Sequence, residues 1–87
     1  MFATPDYEMI FLNNCEEKIT ITLNVCKKVK TKYEKLLKTK LSAEDRKEYE
    51  EKNEKNNKDI EYYESSIKYI RDRRVIVQKL IDNGNKY

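Results

Sequence analysis

The sequence predicts an all-α fold, an antiparallel two-helix hairpin with coiled-coil-like packing. Only one Gly and one Pro occur in 87 residues, so little of the chain can be loop. Charged residues make up 40% of the chain and apolar residues 38%, a composition typical of long helices and coiled coils. Two stretches repeat their apolar residues at alternating steps of three and four, the spacing of a helix that packs along another helix.

The clearer repeat lies between Ser42 and Asn83. Ser42, followed by two acidic residues, is a typical helix N-cap, and Asn83-Gly84 is a typical C-cap. These signals predict a helix over about 43–82 and a short tail over 83–87. The repeat, named here the C-terminal stripe, consists of Arg46, Tyr49, Asn53, Asn56, Ile60, Tyr63, Ile67, Ile70, Arg74, Val77 and Ile81.

The first half of the chain carries a second repeat of the same kind. Thr4-Pro5 is a strong helix start, because Thr supplies a capping hydroxyl and Pro is favoured at the first helical position. We therefore expect a helix over about 5–41, followed by a turn near 41–42. Its repeat, the N-terminal stripe, consists of Leu12, Cys15, Ile19, Thr22, Cys26, Val29, Tyr33 and Leu36.

A connection this short makes the two helices antiparallel neighbours within a single domain, 1–87. In the expected register, facing residues have numbers that sum to 82, so that Leu12 faces Ile70 and Tyr33 faces Tyr49. Glu8 then comes close to Arg74, with which it could form an ion pair.

The charge distribution supports this orientation of the helices. Residues 27–40 contain seven Lys and one Glu, a charge of +6, and they lie beside 41–66, which carries five basic and nine acidic residues. The acidic stretch 1–26 likewise lies beside the basic stretch 67–87. Each exposed pairing of this kind is worth less than about 1 kcal/mol, but together they favour the hairpin.

The alternative fold has an N-terminal β-hairpin followed by two helices. Residues 18–25 alternate apolar and polar side chains and are rich in β-branched residues, as strands are. Residues 7–12 could pair with them across Asn13-Asn14. The all-helical interpretation is favoured because the N-terminal stripe continues through Ile19 to Cys26, and because the Thr4-Pro5 cap has no role before a strand.

Apolar residues remain outside the two stripes and predict a second apolar face. Because monomers usually avoid contiguous apolar patches, we expect this lateral face to bind a second copy of the chain, completing a four-helix bundle by dimerisation, or to clasp another protein. The alternative is that Met1–Asp6 or Asn85–Tyr87 covers it. The lateral face consists of Phe11, Ile21, Val25, Tyr62, Tyr69, Ile76 and Leu80, with Arg71 and Arg73 expected at its rim.

The function expected from this face is protein binding without catalysis, as a small adaptor, a structural coiled-coil piece, or a phage or viral inhibitor. The chain has no His, no Gly-rich phosphate loop and no G-x-S-x-G motif, so no enzyme activity, cofactor or metal is expected. Cys15 and Cys26 are eleven residues apart, about 16 Å along a helix, too far to share a metal or form a disulfide within one chain.

Nucleic-acid binding is the alternative function. Phosphate binding requires clusters of basic side chains, and two such clusters occur. The candidate residues are Lys27, Lys28, Lys32, Lys35, Lys38 and Arg74, with Arg71 and Arg73 beside the last of these. Against this function stand a net charge of only +3 and an acidic neighbouring helix.

The sequence also bears on localisation. The longest unbroken apolar run, Met9–Leu12, is far shorter than the ~20 residues that span a bilayer, so no membrane partner is expected. Two Cys without a signal-peptide-like start favour a reducing, cytoplasmic location. The abundance of Lys and Asn is typical of AT-rich genomes, including those of phages and viruses, in which case the location would be the host cytoplasm.

Overall fold

A computed structural model describes residues 2–87. It contains two helices, α1 over Pro5–Leu37 and α2 over Ala43–Asp82, and no strand within the described residues. The helices pack side by side into a rod of 62 × 16 × 15 Å. The predicted all-α hairpin is therefore confirmed.

The start of α1 follows the predicted cap. Thr4 has an extended backbone and its hydroxyl accepts a hydrogen bond from the Tyr7 amide at 3.4 Å. Residues 18–25 lie inside α1, so the alternative with an N-terminal β-hairpin is wrong. Within this stretch the Thr22 hydroxyl donates to the Lys18 carbonyl at 3.1 Å, a bond that allows a β-branched polar residue to sit in a helix.

The connection between the helices is longer than expected, because α1 ends at Leu37 rather than near 41. The last carbonyls of a helix need donors from elsewhere when no glycine continues the chain into a left-handed turn. Arg46 supplies one of them by donating to the Leu37 carbonyl at 3.0 Å, and it also donates to the Thr39 carbonyl in the connection at 3.2 Å. Ser42 then caps α2 by accepting from the Asp45 amide at 3.1 Å.

The two helices bury their apolar residues in two clusters. Leu12, Ile70 and Val77 form one cluster near the termini, and the second lies further from the termini. Ile19 packs against both clusters and joins them. The residues of the second cluster are Leu23, Ile60 and Ile67.

The N-terminal stripe was wrong at one position. Thr22 is exposed, whereas Leu23 retains only 6% of its accessible surface. Leu23 follows Leu12 by eleven residues, close to three full turns of 3.6 residues, so the two side chains project in nearly the same direction. Leucine also removes more apolar surface from water than threonine does, which favours its burial.

The predicted register is confirmed at two independent points. The Tyr33 and Tyr49 rings lie 6.0 Å apart between centroids. The Asn56 side-chain amide donates to the Cys26 carbonyl at 2.8 Å. Both residue pairs have numbers that sum to 82, as the facing layers require.

The half of the hairpin near the connection is more polar than the terminal half. The side-chain oxygens of Asn53 and Asn57 are buried and have no hydrogen-bond partner within the described part of the chain. An unpaired buried polar atom costs about 1–3 kcal/mol. The helices are therefore held together mainly by the apolar clusters of the terminal half.

The C-terminus of α2 reverses the chain direction. Gly84 adopts a positive φ of 68°, a conformation that costs glycine little. Its amide donates to Ile81 at 3.0 Å, and the Asn85 amide donates to Leu80 at 2.9 Å, the bond pattern of a Schellman motif. The tail beyond Gly84 is therefore directed back along α2.

Substitution at two adjacent positions tests this packing. We expect Leu23→Ala to lower the free energy of unfolding by about 2–5 kcal/mol, because it leaves a cavity in the second cluster. Thr22→Ala should change it by less than about 0.5 kcal/mol, since the side chain is exposed. Urea unfolding followed by circular dichroism measures both, and a similar loss in the two variants would contradict the assignment of Leu23 to the core.

Candidate protein-interaction surface

An apolar groove runs between α1 and α2 on one side of the rod, in the terminal half. Its volume is about 420 Å³. No side chain that lines it carries a charge. The groove is named here the tyrosine groove, and its main lining residues are Phe11, Cys15, Ile19, Tyr62, Ser66 and Tyr69.

The groove has a low floor and projecting walls. Cys15 and Ser66 are small, half-buried residues. Tyr62 and Tyr69 are each 69% exposed and Phe11 is 51% exposed, so large apolar rings stand in water on both sides of the floor. Such a surface offers both a cavity and projecting groups to a partner.

The groove brings together part of the predicted lateral face. Phe11, Tyr62 and Tyr69 line it, on both helices. Ile76 lies one heptad beyond Tyr69 and is 51% exposed, so it continues the same side of α2. Leu80, one turn further, is half-buried.

Four residues of the predicted lateral face do not line the groove: Ile76 and Leu80, which follow it along α2, and Ile21 and Val25 on α1. Ile21 and Val25 are 60% and 54% exposed but lie outside it. Ile21 follows Phe11 by ten residues, about 80° short of three full turns, so it is rotated away from Cys15 and Ile19 towards the outward side of α1. The sequence prediction placed Ile21 on the lateral face because its side chain is apolar, and it did not consider how far Ile21 is rotated from Phe11 around α1.

The two arginines expected at one rim lie on opposite sides of the rod. Arg71 lines two other grooves, one with Leu23 and Lys27 and one with Met9. Arg73 follows Tyr69 by four residues and therefore lies on the side of the tyrosine groove. Residues two apart on a helix are separated by about 200°, so both could not border the same face.

A cluster of three polar side chains borders the terminal end of the tyrosine groove. The Arg73 guanidinium donates from Nε to Glu8 Oε2 at 2.6 Å and from Nη2 to Glu8 Oε1 at 3.0 Å. The Tyr87 hydroxyl also donates to Glu8 Oε1, and Arg73 Nη2 lies 3.4 Å from that hydroxyl. We name Glu8, Arg73 and Tyr87 the terminal cluster.

Hydrogen bonding within the terminal cluster shifts the titration of its members. The Arg73 hydrogen bonds lower the pKa of Glu8 below its usual value of 4.5, although burial of the carboxylate opposes this shift. The hydrogen bond to Glu8 raises the pKa of Tyr87 above 10.0, because ionised Tyr87 could no longer donate to the carboxylate. At neutral pH the cluster therefore holds one carboxylate, one guanidinium and one neutral phenol.

The ion pair expected between Glu8 and Arg74 is wrong by one residue. Arg73 pairs with Glu8, whereas Arg74 pairs with Glu16 at 2.5 Å and donates to Asn13 at 3.0 Å. Arg71 joins Glu16 at 2.7 Å. Glu16 therefore links α1 to α2 on the side of the rod opposite the tyrosine groove.

The chain termini cover the lateral face only in part. The Phe2 ring packs against Phe11 with centroids 5.1 Å apart, and the tail reaches Glu8 through Tyr87. Tyr62, Tyr69 and Phe11 nevertheless remain more than half exposed.

The terminal cluster was not predicted from the sequence. Its one sequence signal was Asn83-Gly84, because a glycine at the end of a helix commonly reverses the chain and returns the following residues to it. Which side chain the returning Tyr87 meets depends on the packing of α1 against α2.

The lysine run 27–40 lies on the surface without partners on α2. The ion pairs of this half of the hairpin join residues four apart on one helix, such as Lys30–Glu34 at 3.9 Å and Lys52–Glu48 at 2.8 Å. Within residues 2–87, no acidic side chain lies within 4 Å of the candidate lysines, and all of them are exposed. These candidates are Lys27, Lys28, Lys32, Lys35 and Lys38.

Within residues 2–87, no three His, Cys, Asp or Glu side chains are grouped so that they could hold a metal ion. Neither α1 nor α2 combines the length and the apolar character needed to cross a membrane. Comparisons with protein-family models, with curated proteins and with solved structures find no match to this chain.

The pKa of Glu8 predicts how stability depends on pH. A carboxyl whose pKa is lowered by folding stabilises the fold fully above pH 4.5, and this contribution is lost as the pH falls through the lowered pKa. We expect Glu8→Gln to reduce the difference in unfolding free energy between pH 7 and pH 3. The reduction should be about 1–2 kcal/mol, modest because the Arg73 side chain is 33% exposed.

Thermal or urea unfolding at the two pH values measures this difference. Glu17→Gln is the matched control, because Glu17 is exposed and neutralising it removes the same charge. Equal pH dependence in the wild type and Glu8→Gln would contradict a stabilising role for the carboxylate.

Proposed function

We propose that this chain is a non-enzymatic protein-interaction module that self-associates through the tyrosine groove, so that two hairpins form a four-helix bundle. The observation that carries the proposal is an uncharged apolar groove flanked by Tyr62 and Tyr69, each 69% exposed. Monomeric proteins seldom leave such a patch in contact with water.

Covering the groove is favoured by the chemistry of its lining. Burial of apolar surface contributes roughly 25 cal/mol per Å², and no charged group has to lose its hydration, because the lining contains none. Tyrosine suits an interface because its ring is apolar and its hydroxyl can remain at a hydrated rim.

A second copy of the chain is a suitable occupant. A symmetric dimer pairs one surface with itself, so that surface must contain both projections and recesses. The tyrosine groove contains both, since Tyr62 and Tyr69 project beside the small residues Cys15 and Ser66. Pairing through the tyrosine groove also avoids the burial of charged side chains such as Lys27, Glu64 and Lys68, which line a groove on the other side of the rod.

A charge in the groove tests self-association. Tyr69→Asp should abolish the dimer, because the carboxylate would have to be buried without a partner. Val75→Asp is the control, since Val75 is 57% exposed and lines a groove with Arg71 on the other side of the rod. Sedimentation equilibrium should give twice the monomer mass of 10.6 kDa for the wild type and Val75→Asp, and 10.6 kDa for Tyr69→Asp.

A wild-type mass of 10.6 kDa at every concentration would contradict self-association. Equal weakening by both substitutions would place the interface elsewhere. Circular dichroism confirms that each variant remains helical.

A second proposal, nucleic-acid binding, is supported by the unpaired lysines of α1. Lys28 and Lys35 are exposed, lie seven residues apart on one side of the helix, and have no acidic partner within 4 Å among residues 2–87. Lysines that are not neutralised by the protein remain available to phosphate groups. Arg74 contributes less than the sequence indicates, because Glu16 holds it at 2.5 Å.

Charge reversal tests this second proposal. If the lysines bind phosphate, Lys28→Glu with Lys35→Glu should abolish retardation of duplex DNA or RNA at low salt, and wild-type binding should weaken steeply as salt rises. Lys18→Glu with Lys47→Glu is the control, because it makes the same change in net charge at exposed positions outside the run. Equal loss in both double variants would indicate dependence on net charge alone, and no wild-type retardation at low salt would remove the proposal.

A further inference from the structure

The tail returns along α2 between two fixed points. At one end, the Asn85 amide donates to the Leu80 carbonyl at 2.9 Å. At the other end, the Tyr87 hydroxyl donates to Glu8 and lies 3.4 Å from Arg73 Nη2. Leu80 and Arg73 are seven residues apart, about 10 Å along a helix, a distance that three extended residues can span.

This path lies on the side of the tyrosine groove. Arg73 follows Tyr69 by four residues, and residues four apart share one side of a helix. The Tyr87 hydroxyl, 3.4 Å from Arg73 Nη2, therefore lies on that side. Tyr69 lines the groove, and Ile76 continues its side one heptad further. The end of the tail therefore lies on the side of α2 along which the lateral face continues towards the termini.

We infer that the tail 85–87 is an autoinhibitory latch, which competes with a second copy of the chain for the terminal end of the lateral face. The inference rests on the proposed self-association through the tyrosine groove. A partner hairpin that covers Tyr69 and continues over Ile76 must displace the tail. Closing the latch therefore lowers the fraction of molecules that can assemble.

The contacts of the latch suit a reversible element. The Tyr87 side chain is held by Glu8 and Arg73, yet Tyr87 is 51% exposed, so few apolar contacts need to break when it leaves. Glu8 is buried and keeps both hydrogen bonds from Arg73 after the tail leaves. Opening therefore leaves no buried carboxylate without a partner, and the hairpin itself stays intact.

Removing one hydroxyl tests the latch. Tyr87→Phe keeps the ring and deletes the donor to Glu8, so the open state should gain population. Loss of one ordinary hydrogen bond corresponds to about a two- to tenfold change per chain, and both tails must leave when a symmetric dimer forms. We therefore expect the dissociation constant for self-association to fall about four- to 100-fold. Tyr7→Phe is the control, because it deletes the hydroxyl of another exposed tyrosine, for which the structure shows no side-chain hydrogen bond within residues 2–87.

Sedimentation measurements on a set of variants separate the possible results. Tighter association of Tyr87→Phe and of Tyr87→Ala, with Tyr7→Phe unchanged, supports the latch. An unchanged or weaker association of Tyr87→Phe overturns it, and it does so independently of the proposed function if Tyr69→Asp still abolishes the dimer. If Tyr69→Asp has no effect, or if the wild type and Tyr87→Phe are both monomeric throughout, the proposed function fails and the latch fails with it.

Discussion

The apolar contact between α1 and α2 near the termini is the constraint on which the rest of the structure depends. Two helices form one interface, and here Leu12, Ile70 and Val77 fill it at one end. Ile19 extends the contact to the second cluster. The rotation that buries these residues also decides which side chains face outward, so the tyrosine groove and the ion pairs are consequences of the same packing.

That rotation gives the two sides of the rod different chemistry. One side carries the uncharged tyrosine groove, and on the other Glu16 binds Arg71 and Arg74. The ion pairs hold Arg71 and Arg74 within the chain, whereas the exposed apolar rings of Tyr62 and Tyr69 lie beside an uncharged groove. This difference supports the proposal that the tyrosine groove binds protein.

The rod also differs along its length. The terminal half holds the buried clusters and the terminal cluster. The half near the connection contains the buried side-chain oxygens of Asn53 and Asn57 and the exposed candidate lysines of α1. The acidic and basic stretches were predicted to lie side by side along the whole hairpin. Within the described residues, direct ion pairs between α1 and α2 form only in the terminal half. The proposed protein binding and the proposed phosphate binding therefore involve separate parts of the molecule and can be tested separately.

The sequence by itself determined the fold class, both helix starts, the C-cap at Asn83-Gly84 and the register. Caps depend on a few neighbouring residues, and the apolar periodicity is repeated many times along each helix. It also identified Phe11, Tyr62 and Tyr69 as surplus apolar residues. Only the tertiary structure decided the choice between neighbouring residues. The apolar pattern repeats every 3.5 residues, whereas a helix has 3.6 residues per turn. Because of this mismatch, the pattern cannot show whether Thr22 or Leu23 is buried, or whether Arg73 or Arg74 pairs with Glu8. The return of Tyr87 to Glu8 joins residues 79 positions apart, and no local signal contains a contact at that range.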